Sequence, residues 1–158
     1  GAGGVARSVL AALLEQNPAR IIIVNRTSER ARRLSRWGSG LDPAIEIAAM
    51  SLIDAGPFFS SKAVIVNCTP QGMQPRVDCS PLPEDYIHSG QTLIDTVYTP
   101  PQTRFLKTGV AAGARVIDGL DMFIGQGLAS LDIWFGNGFT GGLELADLKR
   151  LLLAKGNN

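Results

Sequence analysis

The chain has 158 residues, a formal net charge of +1, 45% hydrophobic and 18% charged residues, which describes a single globular domain with a sizeable core. The near-neutral balance argues against nucleic acid or an anionic membrane surface as a partner, and no apolar run reaches the roughly 20 residues of a membrane span. The two cysteines, Cys68 and Cys79, have neither CxxC nor zinc-site spacing and read as reduced thiols of a cytoplasmic protein.

Helical and strand-like stretches alternate along the chain. Residues 5–14 place Val5, Val9, Leu10, Leu13 and Leu14 on one helical face, and Asn17-Pro18 stops that helix. The β-branched run within 20–26 reads as a strand covered on both faces. Thr27 and Ser28 can cap a helix over 28–37 that ends at Gly38. Short strands are expected at 45–47, 62–68, 91–96 and 114–116. Helices are expected at 103–110, closed by Gly113, at 122–135, and at 143–154 with a leucine stripe. The segment 70–83 is proline-rich and reads as a loop over the carboxyl edge of the sheet. This alternation predicts an α/β fold: a Rossmann-like, doubly wound parallel sheet with helices on both faces.

The first residues, GAGGVA, fit G-x-G-x-x-A through Gly1, Gly3 and Ala6. The first glycine permits a tight turn, the second lets backbone approach a pyrophosphate, and the third small residue lets helix and strand pack closely. Helix-terminal N–H groups would then hold the phosphate. The next strand ends Asn25-Arg26-Thr27, with Arg30 a turn later. A site selecting NAD commonly has a carboxylate here for the ribose 2′-hydroxyl. Two guanidiniums and hydroxyls instead suit a 2′-phosphate, so the cofactor indicated is NADP. Arg26 can also stack on the adenine. The competing interpretation, a solvated basic helix start, is weakened because arginine opposes the dipole at a helix N-terminus.

Three further stretches lie at strand ends: NCTPQGM (67–73), DTVYTPPQT (95–103) and DGLDMFIGQ (118–126). With GAGGVA and NRTSER they resemble, in order, the motifs of the shikimate dehydrogenase family, over residues 1 to about 136. The resemblance implies NADP-dependent reduction of 3-dehydroshikimate to shikimate in aromatic amino-acid biosynthesis. It implies a pyrophosphate loop of Gly1, Ala2, Gly3, Gly4 and Val5, with Asn25, Arg26, Thr27 and Arg30 on the 2′-phosphate. Thr69 and Thr96 would lie beside the nicotinamide half. Gly119 would meet the carboxamide through its backbone, and Met122 would pack on the ring. Tyr98 and Gln126 match the substrate-contacting tyrosine and glutamine, a phenol and an amide suited to ring hydroxyls. Gln126 sits within an apolar helix, where burial would demand partners. His88 reads as a surface turn, Cys68 as a packing residue, Asp95 as ordering a strand end, and Trp134 and Phe135 as a helix end that packs on a substrate domain.

The chain departs from the family at Asp121, where glycine is common, and at Phe123, where leucine is usual. Asp121 can cap the following helix or tune the approach of substrate or cofactor. A quinate-accepting paralogue therefore stays open, as does a non-catalytic NADP-binding module. A glutamyl-tRNA reductase fits the Asn-Arg-Thr strand end but not the later motifs.

The family's N-terminal substrate domain, with its Ser-x-Ser pair and the Lys and Asp that handle the proton, is not among these residues. No catalytic residue is therefore named in this chain. Residues 1–158 are expected to be the NADP-binding domain with a terminal helix over about 142–155, a fragment inactive alone. In the Rossmann order the central first strand would precede Gly1. The strands ending at Asn25 and Asn67 should then flank a gap of about 9–10 Å, two ladder spacings, with unpaired edges that a partner chain or another segment could fill. A homodimer is one such arrangement.

Overall fold

The computed structural model describes residues 1–60 and 62–155. Among the described residues, five α-helices and five strands follow in the order α1 (Gly4–Leu14), β1 (Arg20–Val24), α2 (Ser28–Leu41), β2 (Glu46–Met50), β3 (Val64–Asn67), β4 (Thr92–Asp95), α3 (Arg104–Ala111), β5 (Arg115–Ile117), α4 (Gly119–Phe135) and α5 (Leu145–Lys155). Every strand pair is parallel, in register Ile22 with Ala48, Val66 with Ile94, and Leu93 with Val116.

The strands fall into two groups, β1–β2 and β3–β4–β5. In the expected order β1 and β3 would each flank the central strand, and neither pairs with the other here. Their carboxyl ends converge on Gly1. Its backbone N donates to the Val24 carbonyl at 2.8 Å, and a Cβ on Gly1 would stand 2.5 Å from the Cys68 carbonyl oxygen.

Each strand group carries its own apolar cluster. Ala6, Leu10, Leu14, Ile23, Ala31, Leu34 and Ile45 form one, where α1 and α2 meet β1 and β2. Leu82, Ile87, Leu93, Phe105 and Leu106 form the other, beneath α3. The buried face of α1 is thus Ala6, Leu10 and Leu14; Val5, expected inside, is 44% exposed.

Other boundaries moved for local reasons. The second helix does not stop at Gly38 but runs to Leu41. Gly38 is an interior contact: a Cβ there would lie 2.8 Å from both Ile47 Cδ1 and Leu10 Cδ2. Thr27 is the N-cap residue of α2 but its hydroxyl makes no capping bond. The strand expected at 45–47 extends to Met50, because β1 offers it a five-residue partner. The fourth helix starts at Gly119 because Asp118, not Asp121, caps it by accepting from Leu120 N at 3.1 Å. Thr103 caps α3 by accepting from Leu106 N, and Gly113 takes φ +77° just beyond that helix. Strands expected to be covered on both faces are only partly so: Ile23 alone is buried in β1, and Asn67 alone in β3.

Candidate functional site

The glycine turn opens directly into α1. Gly3 is its N-cap residue and supplies no side-chain cap, and no acidic residue stands in the first turn. A Cβ on Gly3 or Gly4 would meet nothing within 4 Å. The first-turn N–H groups therefore look onto open space at the positive end of a helix, a geometry that accepts phosphate oxygens. Ala6, the third small position, is buried.

At the tip of β1, Asn25 Nδ2 donates to the Thr27 carbonyl at 2.9 Å and shapes the strand-to-helix turn. Arg26, Thr27 and Arg30 are exposed. Glu29 is held by Arg36 at 3.0 Å and approached by Arg32 at 3.9 Å. Arg7 stacks over Trp37, 4.3 Å from the ring centroid. Arg26 and Arg30 enter no ion pair among the described residues. Two guanidiniums are thus available near the glycine turn, and no carboxylate occupies the strand tip. These donors fit a cofactor with a 2′-phosphate.

The ends of β3 and β4 are joined by side chains. Asp95 is wholly buried. Its Oδ1 accepts from Asn67 Nδ2 and from Val97 N, both at 2.9 Å, and its Oδ2 accepts from Thr103 Oγ1 at 2.6 Å. Asn67 Oδ1 accepts from Thr69 N at 3.0 Å and from Thr69 Oγ1 at 2.7 Å. Burial pushes the Asp95 carboxyl above its ordinary value, against the three hydrogen bonds that favour the anion. Cys68, between these ends, packs against the first apolar cluster. Burial raises its thiol pKa, so it stays protonated and unreactive.

Gly119 seats α4 against the loop after β4. A Cβ there would fall 2.6 Å from Val97 O and 2.8 Å from the Thr96 carbonyl carbon. This brings Thr96, Gly119 and the first turn of α4 together. Met122 is 41% exposed beside them. The Tyr98 ring stacks on Phe123, centroids 4.5 Å apart and planes 22° from parallel. Gln126, whose burial in this helix would have demanded partners, is exposed and lines an apolar groove of about 330 Å³ between α4 and α5 with Phe123, Leu148 and Leu151. Its side chain therefore needs no internal partner.

Lys149, which matches no motif, reaches from α5 to the start of α4. Its Nζ lies 2.8 Å from Asp118 Oδ2 and 2.7 Å from Asp121 Oδ1. Asp121 is thus a salt-bridge residue. No local signal in the sequence links positions 118, 121 and 149, since the pairing exists only once α5 folds back. Trp134 and Phe135, at the end of α4, are 72% and 62% exposed. His88 is exposed in a turn, its backbone N donating to Gln91 Oε1 at 2.9 Å.

The fold and the converging strand ends define the class: a Rossmann-like α/β unit with parallel strands. No family model matches the chain. It is 41% identical over 140 residues to the shikimate dehydrogenase (NADP(+)) of Moorella thermoacetica, covering 86% of this chain and 46% of that one. A solved shikimate 5-dehydrogenase of Thermus thermophilus in complex with NADP(H) and shikimate superposes with a TM-score of 0.75 at 30% identity, over 95% of this chain and 51% of that one. Quinate dehydrogenase of Corynebacterium glutamicum shares the fold, with a TM-score of 0.82 at 22% identity, over 98% of this chain and 53% of that one. Over the matched region the chain is a relative of the shikimate dehydrogenases. It spans about half the length of the curated relatives it matches.

Proposed function

We propose that this chain is the NADP-binding half of a shikimate dehydrogenase, which interconverts 3-dehydroshikimate and shikimate. The observation that carries the reading is the pairing of an uncapped, sterically open helix start with two arginines, Arg26 and Arg30, that enter no ion pair among the described residues, at a strand tip without a carboxylate. Gly1 to Val5 would bind the pyrophosphate, and Asn25, Arg26, Thr27 and Arg30 the 2′-phosphate. Thr69, Thr96, Gly119 and Met122 would surround the nicotinamide half. The bound cofactor would supply hydride chemistry. Tyr98 and Gln126 would orient the substrate from the mouth of the site. The same reading assigns proton handling to groups outside these residues, and places the enzyme in the cytoplasm with its cysteines reduced. Among the described residues one edge each of β1 and β3 carries no strand partner, which supports a further strand between them.

The test is a fluorescence titration of the chain with NADPH and, separately, NADH. NADPH binding at least tenfold tighter than NADH is the expected result. Equal affinities would remove the 2′-phosphate assignment, and no binding of either would remove the cofactor assignment altogether.

A further inference from the structure

Helix α2 sorts its charges by flank. Glu29 stands in its first turn, four residues before Arg33, which is the favoured order and spacing for a helical ion pair. That pair is not made. Glu29 turns the other way, its Oε1 3.0 Å from Arg36 Nη2 and its Oε2 3.9 Å from Arg32 Nη1. Arg33 is left exposed, as Arg26 and Arg30 are, and like them enters no ion pair among the described residues.

At 3.6 residues per turn, positions 30, 33 and 37 follow one another along one flank of the helix. The contacts of Trp37 show which flank this is. Arg7 of α1 lies over the indole, 4.3 Å from its centroid, and a Cβ on the next residue, Gly38, would stand 2.8 Å from Leu10 Cδ2. The flank that carries Arg30 and Arg33 is therefore the one that adjoins α1. The two contacts, Arg7 with Trp37 and Leu10 with Gly38, run in the same order along both helices, so both helices start at the same end. Arg26, Arg30 and Arg33 thus stand at the end where the glycine turn opens.

Nothing in the fold itself rewards this arrangement. Arg30 lies in the first turn of α2, where the helix dipole disfavours a cation, and the adjacent carboxylate that could neutralise the group is held by Arg32 and Arg36. A phosphate dianion would relieve the repulsion, and guanidiniums are the side chains whose planar fork matches its oxygens.

We propose that Arg33 is a third phosphate-binding guanidinium beside Arg26 and Arg30, and that Arg36 is a positioning residue that keeps Glu29 from occupying this site. This rests on the proposed binding of NADP, whose 2′-phosphate is the dianion concerned.

The test is calorimetric titration of the chain and its variants with NADPH and NADH, which differ only in that phosphate. Arg33→Ala should weaken NADPH about fivefold, the upper end for a solvent-exposed ion pair, and leave NADH unchanged. Arg36→Ala should weaken NADPH about threefold, within the same range, because the freed Glu29 then competes for Arg33. In a Glu29→Gln background the Arg36→Ala change should have no effect on NADPH. A mere loss of positive charge, or of helix stability, would cost the same in both backgrounds. Wild-type preference for NADPH with unchanged affinity in Arg33→Ala, or equal weakening of both cofactors by it, would overturn the inference and leave the NADP reading intact. An Arg36→Ala effect that persists without Glu29 would also overturn it. A wild-type chain that binds the two cofactors equally, or binds neither, would overturn both.

Discussion

The rings of Tyr98 and Phe123 stack at 4.5 Å across the gap between the loop after β4 and the first turn of α4. Both are partly exposed, so the contact orders the phenol more than it stabilises the fold. Phe123→Leu, which restores the residue the family commonly carries, should cost about 0.5 kcal/mol, the low end of an aromatic pair. The tyrosine signal in near-ultraviolet circular dichroism should weaken. An unchanged signal would show that Tyr98 is held by something else.

Arg26 should discriminate between the cofactors. Arg26→Ala is expected to weaken NADPH binding by about 1.5–3 kcal/mol, the range for a hydrogen bond to a charged group, and to leave NADH nearly unchanged. Thermal stability should barely move, because Arg26 is exposed and enters no ion pair among the described residues. Isothermal titration with both cofactors reads the difference, and equal weakening of the two contradicts the assignment.

Two buried glycines make a paired prediction. At Gly119 an added methyl group meets backbone, Val97 O at 2.6 Å, which cannot yield without moving the loop. At Gly38 it meets the flexible ends of Ile47 and Leu10, and alanine regains about 1 kcal/mol of helix propensity. Gly119→Ala should therefore destabilise by about 2 kcal/mol or more, and Gly38→Ala by clearly less. Urea unfolding of the two variants ranks them; a reversed order would mean the Gly119 seat is softer than its geometry implies.

Lys149 fastens α5 to α4. Burial alone would lower its pKa, but its hydrogen bonds to Asp118 and Asp121 outweigh that and raise it above 10.5. A cation whose pKa is higher folded than unfolded contributes its full stabilisation below the unfolded value and loses it as pH rises through the folded value. The contribution should thus be constant through neutral pH and vanish only in strong alkali. Lys149→Met should cost about 1 kcal/mol at pH 7, between the ranges for exposed and buried charged pairs. The cost should shrink with added salt and disappear above the folded pKa. Hydrogen exchange of the α5 amides at several pH values checks this, and a difference that grows with pH would refute the sign.

Much of this protein was determined within short windows of sequence. The alternation of β-branched runs with amphipathic ones specified the order of elements and the parallel class, because periodicity and turn chemistry are local. The glycine turn at Gly1–Gly4 and the carboxylate-free tip at Asn25–Arg26 were legible for the same reason: both are chemistry of adjacent residues. Tertiary structure decided the rest. Gly38 looks like a helix stop until Leu10 and Ile47 press against it. Gln126 looks buried in an apolar helix until that helix proves to have an open face along α5. Asp121 looks like a cap until Lys149 arrives from 28 residues away. The hydrogen-bond chain running from Asp95 through Asn67 to Thr69 likewise exists only because β3 and β4 lie side by side. Each of these depends on which surfaces meet across long chain separations, and no local pattern encodes that.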